Sequence, residues 1–204
     1  FAKMITIVDH PDSFKRNLEH LLAEFDKVQV IDRKSISFAD IQASKVLVFS
    51  PGPGCPRDYP ESQAIYQEMK GKIPMLGICL GFQLIMEQEG SKIIRQNQVL
   101  HGVESEIMVD KKSVTYRGVV TPVKVGRYHS LQIDSNTLKD LSPEFKITSN
   151  DPIRNVPLSF ENLKLKLFGL QYHPESFLST EGNKIISNIL HESMEQRWKA
   201  HRSS

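Results

Sequence analysis

The chain has 204 residues, 39% hydrophobic and 25% charged, with a net charge of +2. This is the composition of an ordinary folded domain long enough to bury a core, and the scattered basic residues leave no footprint for nucleic acid. No run is apolar enough to span a bilayer, no signal peptide is visible, and two cysteines without CxxC spacing leave no zinc site, so the reading is a cytoplasmic protein with free thiols. The opening Phe1-Ala2-Lys3 lacks Met and reads as a processed or trimmed start.

In chain order, Met4 to Val8 is a β-branched run that predicts a buried strand, broken by Asp9-His10-Pro11-Asp12. Asp12 or Ser13 can cap a helix whose apolar residues Phe14, Leu18, Leu21, Leu22 and Phe25 share one face. Val28 to Ile31 predicts a second strand, Phe38 to Ile41 a helical turn, and Lys45 to Phe49 a third strand. This β-α-β-α-β order argues for a parallel sheet covered on both faces. The third strand runs into Ser50-Pro51-Gly52-Pro53-Gly54-Cys55-Pro56. Alternating Pro and Gly exclude helix and strand interior, and the C-terminal end of a strand is where open α/β sheets bind ligands. Glu61 to Met69 predicts a helix leading to a fourth strand, Pro74 to Ile78.

That strand ends on Cys79, bracketed by Gly77 and Gly81, with Phe82 to Glu87 opening a helix. Gly-x-Cys-x-Gly between strand and helix is the layout of a nucleophile elbow. A sharp turn strains the nucleophile's backbone, small neighbours let it be approached, and the helix N-terminus behind it favours a negatively charged sulfur. Read alone, the stretch Pro74 to Gln83 fits a buried structural cysteine equally well. Beyond Gln88 come short β-prone pieces: Ser91 to Ile94, Glu106 to Val109, Val114 to Tyr116 and Val119 to Val125, with His101-Gly102 and Arg127 to Leu131 as loops. They predict a mixed or antiparallel region attached to the parallel sheet. Phe145 to Thr148, Leu158 to Asn162 and Leu165 to Gln171 predict further strands, and Thr180 to Trp198 a last helix with Ile185, Ile186, Ile189 and Leu190 inward. Its polar end, Met194 to Ser204, reads as frayed. No repeat, low-complexity tract or linker divides residues 1–204, which read as one domain.

A cysteine nucleophile needs a base and a group to orient it. His173-Pro174-Glu175, at the exit of the last strand, supplies both. A histidine alone is more often a surface or satisfied core residue, and seven are present. The weight comes from three features expected at one edge of the sheet: the Cys79 elbow, the strand-terminal His-x-Glu, and the Pro-Gly loop.

Ser50 to Gly54 with Pro56, Gly77 to Gln83, Tyr128 to Leu131 and Gln171 to Ser176 together resemble the class-I (triad) glutamine amidotransferases, over essentially the whole chain. Asp12-Ser13-Phe14, His101-Gly102 and Arg127 to Leu131 are most similar to the small subunits of anthranilate and aminodeoxychorismate synthases. The resemblance implies an α/β fold, flavodoxin-like: an open, mostly parallel sheet flanked by helices, with an additional small mixed or antiparallel sheet. It implies Cys79 as nucleophile, His173 as base and Glu175 as orienting group. The N–H groups of Gly52 and Leu80 would form the oxyanion hole, in a loop that includes Pro53. Gly54, Gln83, Ser130 and Leu131 would hold the glutamine α-amino and carboxylate groups. Glutamine would become glutamate and ammonia through a glutamyl thioester. The ammonia would pass to a chorismate-binding large subunit in a heteromer, with no metal or organic cofactor in this chain.

The family usually has His where Phe82 stands, Asn-Tyr near His10-Pro11, Thr-Tyr at Lys15-Arg16, and Lys where Val103 follows His101-Gly102. Those near the first helix and the His-Gly loop bear on partner identity. Cys55 reads as structural or incidental. Competing readings are an amidotransferase subunit for purine or pyrimidine synthesis, a catalytically silent regulatory subunit, and a cysteine peptidase or γ-glutamyl hydrolase. The short stretch after the last helix argues against a fused synthetase, the intact Cys79, His173 and Glu175 against a silent subunit, and Ser130, Leu131 and Gln83 suit a small amino acid better than a peptide. Anthranilate and aminodeoxychorismate synthesis both stay open.

Overall fold

The computed structural model describes the backbone of residues 3–202 and the side chains of residues 3–195. Phe1-Ala2 and the side chains of the polar end from Gln196 on, Trp198 included, lie outside the described residues. Chain order is β1 (Met4–Asp9), α1 (Lys15–Ala23), β2 (Val28–Asp32), α2 (Phe38–Gln42), β3 (Ser44–Phe49), α3 (Pro60–Met69), β4 (Met75–Ile78) and α4 (Leu80–Gln88). There follow β5 (Ile93–Arg95), β6 (Val103–Val109), β7 (Val123–Arg127), β8 (Leu131–Ile133), β9 (Lys146–Asn150), β10 (Pro157–Asn162), β11 (Leu167–Leu170) and α5 (Gly182–Arg202), with 3-10 turns at Pro56–Asp58 and Ser135–Asp140.

Among the described residues one nine-stranded sheet runs in the order β2-β1-β3-β4-β11-β10-β9-β6-β7, and β5 and β8 pair separately. From β2 to β11 neighbours are parallel. From β11 to β7 they are antiparallel. Most of the antiparallel part therefore continues the main sheet, and only β5–β8 stands apart. β4 and β11 are buried at every position, as parallel strands covered on both faces must be. Val103-Glu104-Ser105-Glu106 opens β6 largely exposed, which an antiparallel strand tolerates.

β3 shows how the two cores divide. Val46 and Val48 pack with Leu18 and Leu22 of α1 and Ile185 and Ile189 of α5. Leu47 and Phe49 pack with Tyr66 of α3 and Leu84 and Ile85 of α4. Successive strand residues point to opposite faces, so one strand feeds both cores. Each fully buried aliphatic side chain stabilises the fold by roughly 1.5–3 kcal/mol.

Several expectations are corrected. α1 starts one or two residues late: its N-cap is Phe14, with no side-chain cap, and Asp12 instead accepts the Phe14 N–H at 3.2 Å. Phe25 lies past the helix end but still packs on its core. Val114 to Tyr116 is turn, not strand. The Val114 and Thr115 N–H groups donate to the Glu161 carboxylate, at 3.2 and 3.1 Å, leaving none for a ladder. Strand begins only at Val123 rather than Val119, and Arg127 and Leu131 belong to β7 and β8 instead of a loop. Phe82 is wholly buried under the sheet, stacked on Phe160 at 5.8 Å. Val103 pairs with Arg127 across β6 and β7.

Candidate active site

The C-terminal ends of β3, β4 and β11 gather the residues singled out above. Cys79 sits between β4 and α4 with φ 53° and ψ −101°, a conformation that costs on the order of 1–3 kcal/mol for a residue with a side chain. Both neighbouring glycines are required by close approach. A Cβ on Gly77 would lie 2.3 Å from the Gly81 carbonyl oxygen, and one on Gly81 2.3 Å from that of Phe49. The Cys79 N–H donates to Leu170 O at 2.8 Å, which ties the elbow to β11. Leu80 opens α4, so its N–H is a first-turn donor without an intrahelical acceptor.

His173 follows β11, and its Nδ1 lies 2.6 Å from Glu175 Oε1. Its other nitrogen, Nε2, is left to face Cys79. Phe14 and Tyr128 hold the imidazole, each ring centroid 5.0 Å from it. Burial alone would lower the His173 pKa. Hydrogen bonds to Cys79 and to Glu175 outweigh it and hold the value well above the ordinary one, so the ring favours imidazolium. Pro174 is seated against the start of α5, where a Cβ on Gly182 would lie 2.0 Å from the Pro174 carbonyl oxygen.

Above the elbow is a cavity of about 120 Å³. Gly52, Pro53 and Gly54 form one wall; Cys79, Leu80 and Gln83 form the floor; Tyr128, His129, Ser130 and Leu131 form the other wall. All the residues expected around a substrate thus border one space. Cys55, by contrast, does not line it.

The family model described as "Glutamine amidotransferase class-I" matches residues 6–193. The chain belongs to that family. This amidotransferase is 33% identical to anthranilate synthase component 2 of Lactococcus lactis, over 95% of this chain and 97% of the relative. It is 35% identical to aminodeoxychorismate synthase component 2 of Serratia marcescens, over 92% of this chain and 99% of the relative. Its fold is similar to that of a Thermoplasma acidophilum protein described as a GMP synthase subunit, with TM-score 0.83 over 98% of both chains at 18% identity.

The amidotransferase site also contains residues that spacing did not single out. Gln171 donates from Nε2 to Cys79 Sγ at 3.7 Å, while its Oε1 accepts from Gln83 Nε2 at 3.0 Å. Gln83 Nε2 also reaches Leu131 O at 3.3 Å. Gln83 therefore orients the Gln171 amide so that an N–H faces the sulfur. Behind the Tyr128–Leu131 wall, Arg127 is 2% exposed and pairs with Asp151 at 2.6 Å. Arg127 Nε donates to His129 Nε2 at 3.1 Å, and His129 Nδ1 donates to Leu131 O at 2.8 Å. Burial, then the Arg127 charge, lowers the His129 pKa to about 3, so the ring is neutral. Burial also lowers Arg127, opposed by Asp151. Among the described residues no cluster of His, Cys, Asp or Glu is placed to hold a metal ion, and no helix is long and apolar enough to cross a membrane.

Proposed function

We propose that this amidotransferase hydrolyses L-glutamine at Cys79 and delivers the ammonia to a chorismate-binding synthase subunit. The observation that carries the reading is the strained Cys79, which borders a small half-open cavity on one side and has the His173–Glu175 pair on the other, at one sheet edge. About 10–15 Å³ of such space admits one water, so about 120 Å³ suits a single amino acid.

The Cys79 sulfur attacks the glutamine side-chain amide carbon, and the C=O π electrons move onto oxygen. The N–H groups of Gly52 and Leu80 receive that oxyanion; one such donor is typically worth roughly 10²–10³ in rate. His173 holds the proton that left the thiol and gives it to the departing nitrogen, releasing ammonia and leaving a glutamyl thioester. Glu175 keeps Nδ1 engaged, so Nε2 carries this traffic. Water then attacks the thioester with His173 as base, and glutamate and the thiol are regenerated. Gln83, Ser130, Leu131 and Gly54 hold the substrate's α-amino and carboxylate groups. The partner assignment rests on two relatives that are each named component 2 of a synthase, for anthranilate and for aminodeoxychorismate; either product is compatible.

Cys79→Ala tests the whole scheme in the purified complex. Glutamine-dependent synthesis is expected to vanish while free ammonium still supports the partner's reaction. Loss of both activities would sink the division of labour. Purification of the chain with its partner, and identification of the chorismate-binding subunit that accompanies it, decides which product is made.

A further inference from the structure

His10, at the exit of β1, is wholly buried and has no part in the chemistry above. Its backbone N–H donates to Ser50 Oγ at 2.8 Å. Its Nδ1 lies 3.0 Å from the Ser50 carbonyl oxygen and 3.1 Å from Ser50 Oγ. Its Nε2 lies 2.7 Å from Ser62 Oγ, in the first turn of α3. A carbonyl oxygen can only accept, so Nδ1 carries the hydrogen; Nε2 of a neutral ring must then accept from the Ser62 hydroxyl. Burial, reinforced by the nearby Arg33 charge, lowers the His10 pKa to about 4, against opposing contributions from Ser50, Asp9 and Asp32. The neutral tautomer is therefore the resident form near neutral pH.

The ring sits directly beneath the loop that carries Gly52. A Cβ on Gly52 would lie 2.6 Å from His10 Cβ and 2.8 Å from Leu80 Cδ2. The Tyr59 ring stands edge-on to His10 at 4.7 Å, and its hydroxyl donates to Pro53 O at 2.6 Å. The Arg33 guanidinium lies 4.8 Å from the Tyr59 ring centroid. Ser50, Gly52 and Pro53 are thus each in contact with His10 or with the ring set edge-on to it.

We infer that His10 is a positioning residue, which aims the Gly52 N–H at the reacting carbonyl by tying Ser50 to α3. The inference rests on the reading of Gly52 as an oxyanion donor. Imidazole suits the task because it donates at one end and accepts at the other, across the gap between a strand exit and a helix start. An asparagine reaches only the Ser50 side.

The test measures glutamine hydrolysis and, separately, alkylation of Cys79 by iodoacetamide, a displacement at saturated carbon that develops no oxyanion. In His10→Leu, kcat is expected to fall about 10²-fold, the scale of a misaimed donor. KM is expected to stay within about threefold and the alkylation rate within about twofold, since the grip of Gln83, Ser130 and Leu131 and the elbow are untouched. His10→Asn, which can still donate to Ser50 O, is expected to recover about tenfold of the lost kcat. An unchanged kcat with only a lower melting temperature would overturn the inference. So would a parallel fall of kcat and alkylation, or a rise in KM alone. Should His10→Leu fail to fold, Ser62→Ala decides: kcat lower by about threefold to tenfold supports the role, and wild-type kcat overturns it. A wild-type protein that releases no ammonia from glutamine, with or without its partner, overturns the functional reading and this inference together; the variant results bear on His10 alone.

Discussion

On one side of the cavity the Ser50–Gly54 loop is held directly by neutral groups, His10, the Ser50 and Ser62 hydroxyls and the Tyr59 ring, with the Arg33 charge behind that ring. On the other, the Tyr128–Leu131 wall rests on a buried ion pair, Arg127–Asp151, with neutral His129 as the link. Both sides use a histidine stripped of its charge by burial. They differ in what happens when a partner is lost. A neutral hydrogen bond is worth about 1 kcal/mol net. A buried charge left alone costs several times that, because its desolvation is no longer repaid by a counter-ion. One wall is therefore built to be adjusted and the other to stand or fall as a unit.

Asp151→Ala is the strongest way to break this contrast. It leaves the buried Arg127 charge without its counter-ion and is expected to cost about 3–5 kcal/mol in denaturant unfolding. The double variant Arg127→Met with Asp151→Leu is expected to recover most of that loss, because no charge remains to be desolvated. If the double variant is as unstable as the single one, packing rather than charge holds this wall.

The pH dependence of stability comes next in size. In the unfolded chain both His10 and His129 take up a proton near pH 6.5, whereas in the folded chain they stay neutral to about pH 4 and about pH 3. The unfolded state therefore binds more protons below pH 6.5, and stability falls as pH drops through that window. The loss between pH 7 and pH 5 is on the order of 2 kcal/mol for each histidine. Asp151, whose carboxyl Arg127 and two backbone N–H groups hold below its ordinary value despite burial, loses its contribution only at lower pH. His173 has the opposite sign: its raised value makes its stabilisation complete below pH 6.5 and lost as pH rises through that value. Unfolding midpoints at pH 7 and pH 5 check this. His10→Asn is expected to remove about half of the acid-side loss, and a flat profile would contradict the neutral assignment of both rings.

The smallest expected effect lies away from both walls. Lys164 and Glu144 pair at 2.7 Å with side chains 71% and 40% exposed. Lys164→Ala should change unfolding stability by less than about 1 kcal/mol. A larger change would mean that exposed charges, not only the buried pair, hold this part of the molecule.

The elbow was legible in the sequence because its constraint is local and steric: Gly77 and Gly81 are small where backbone from Gly81 and from β3 passes within contact distance. His173 and Glu175 were legible for a similar reason, being two residues apart around a proline at a strand end. The supporting groups were not. Gln171 and Cys79 are 92 positions apart, His10 and Ser62 are 52, and Arg127 and Asp151 are 24. Such pairings have no periodicity and leave no mark on composition. Val114 to Tyr116 misled for the converse reason: its β-branched content is local, and the acceptor that bends it, Glu161, is distant in the chain. Phe82, in α4, is explained only by Phe160, which packs against it from β10.

By itself the sequence determined the alternation of strands and helices, the strained cysteine turn, and the family to which the chain belongs, since these depend on neighbours within a few residues. Only the tertiary structure decided where the antiparallel strands join the main sheet. It alone decided which histidines are neutral and which favours charge, because burial and partner distance are properties of the folded packing.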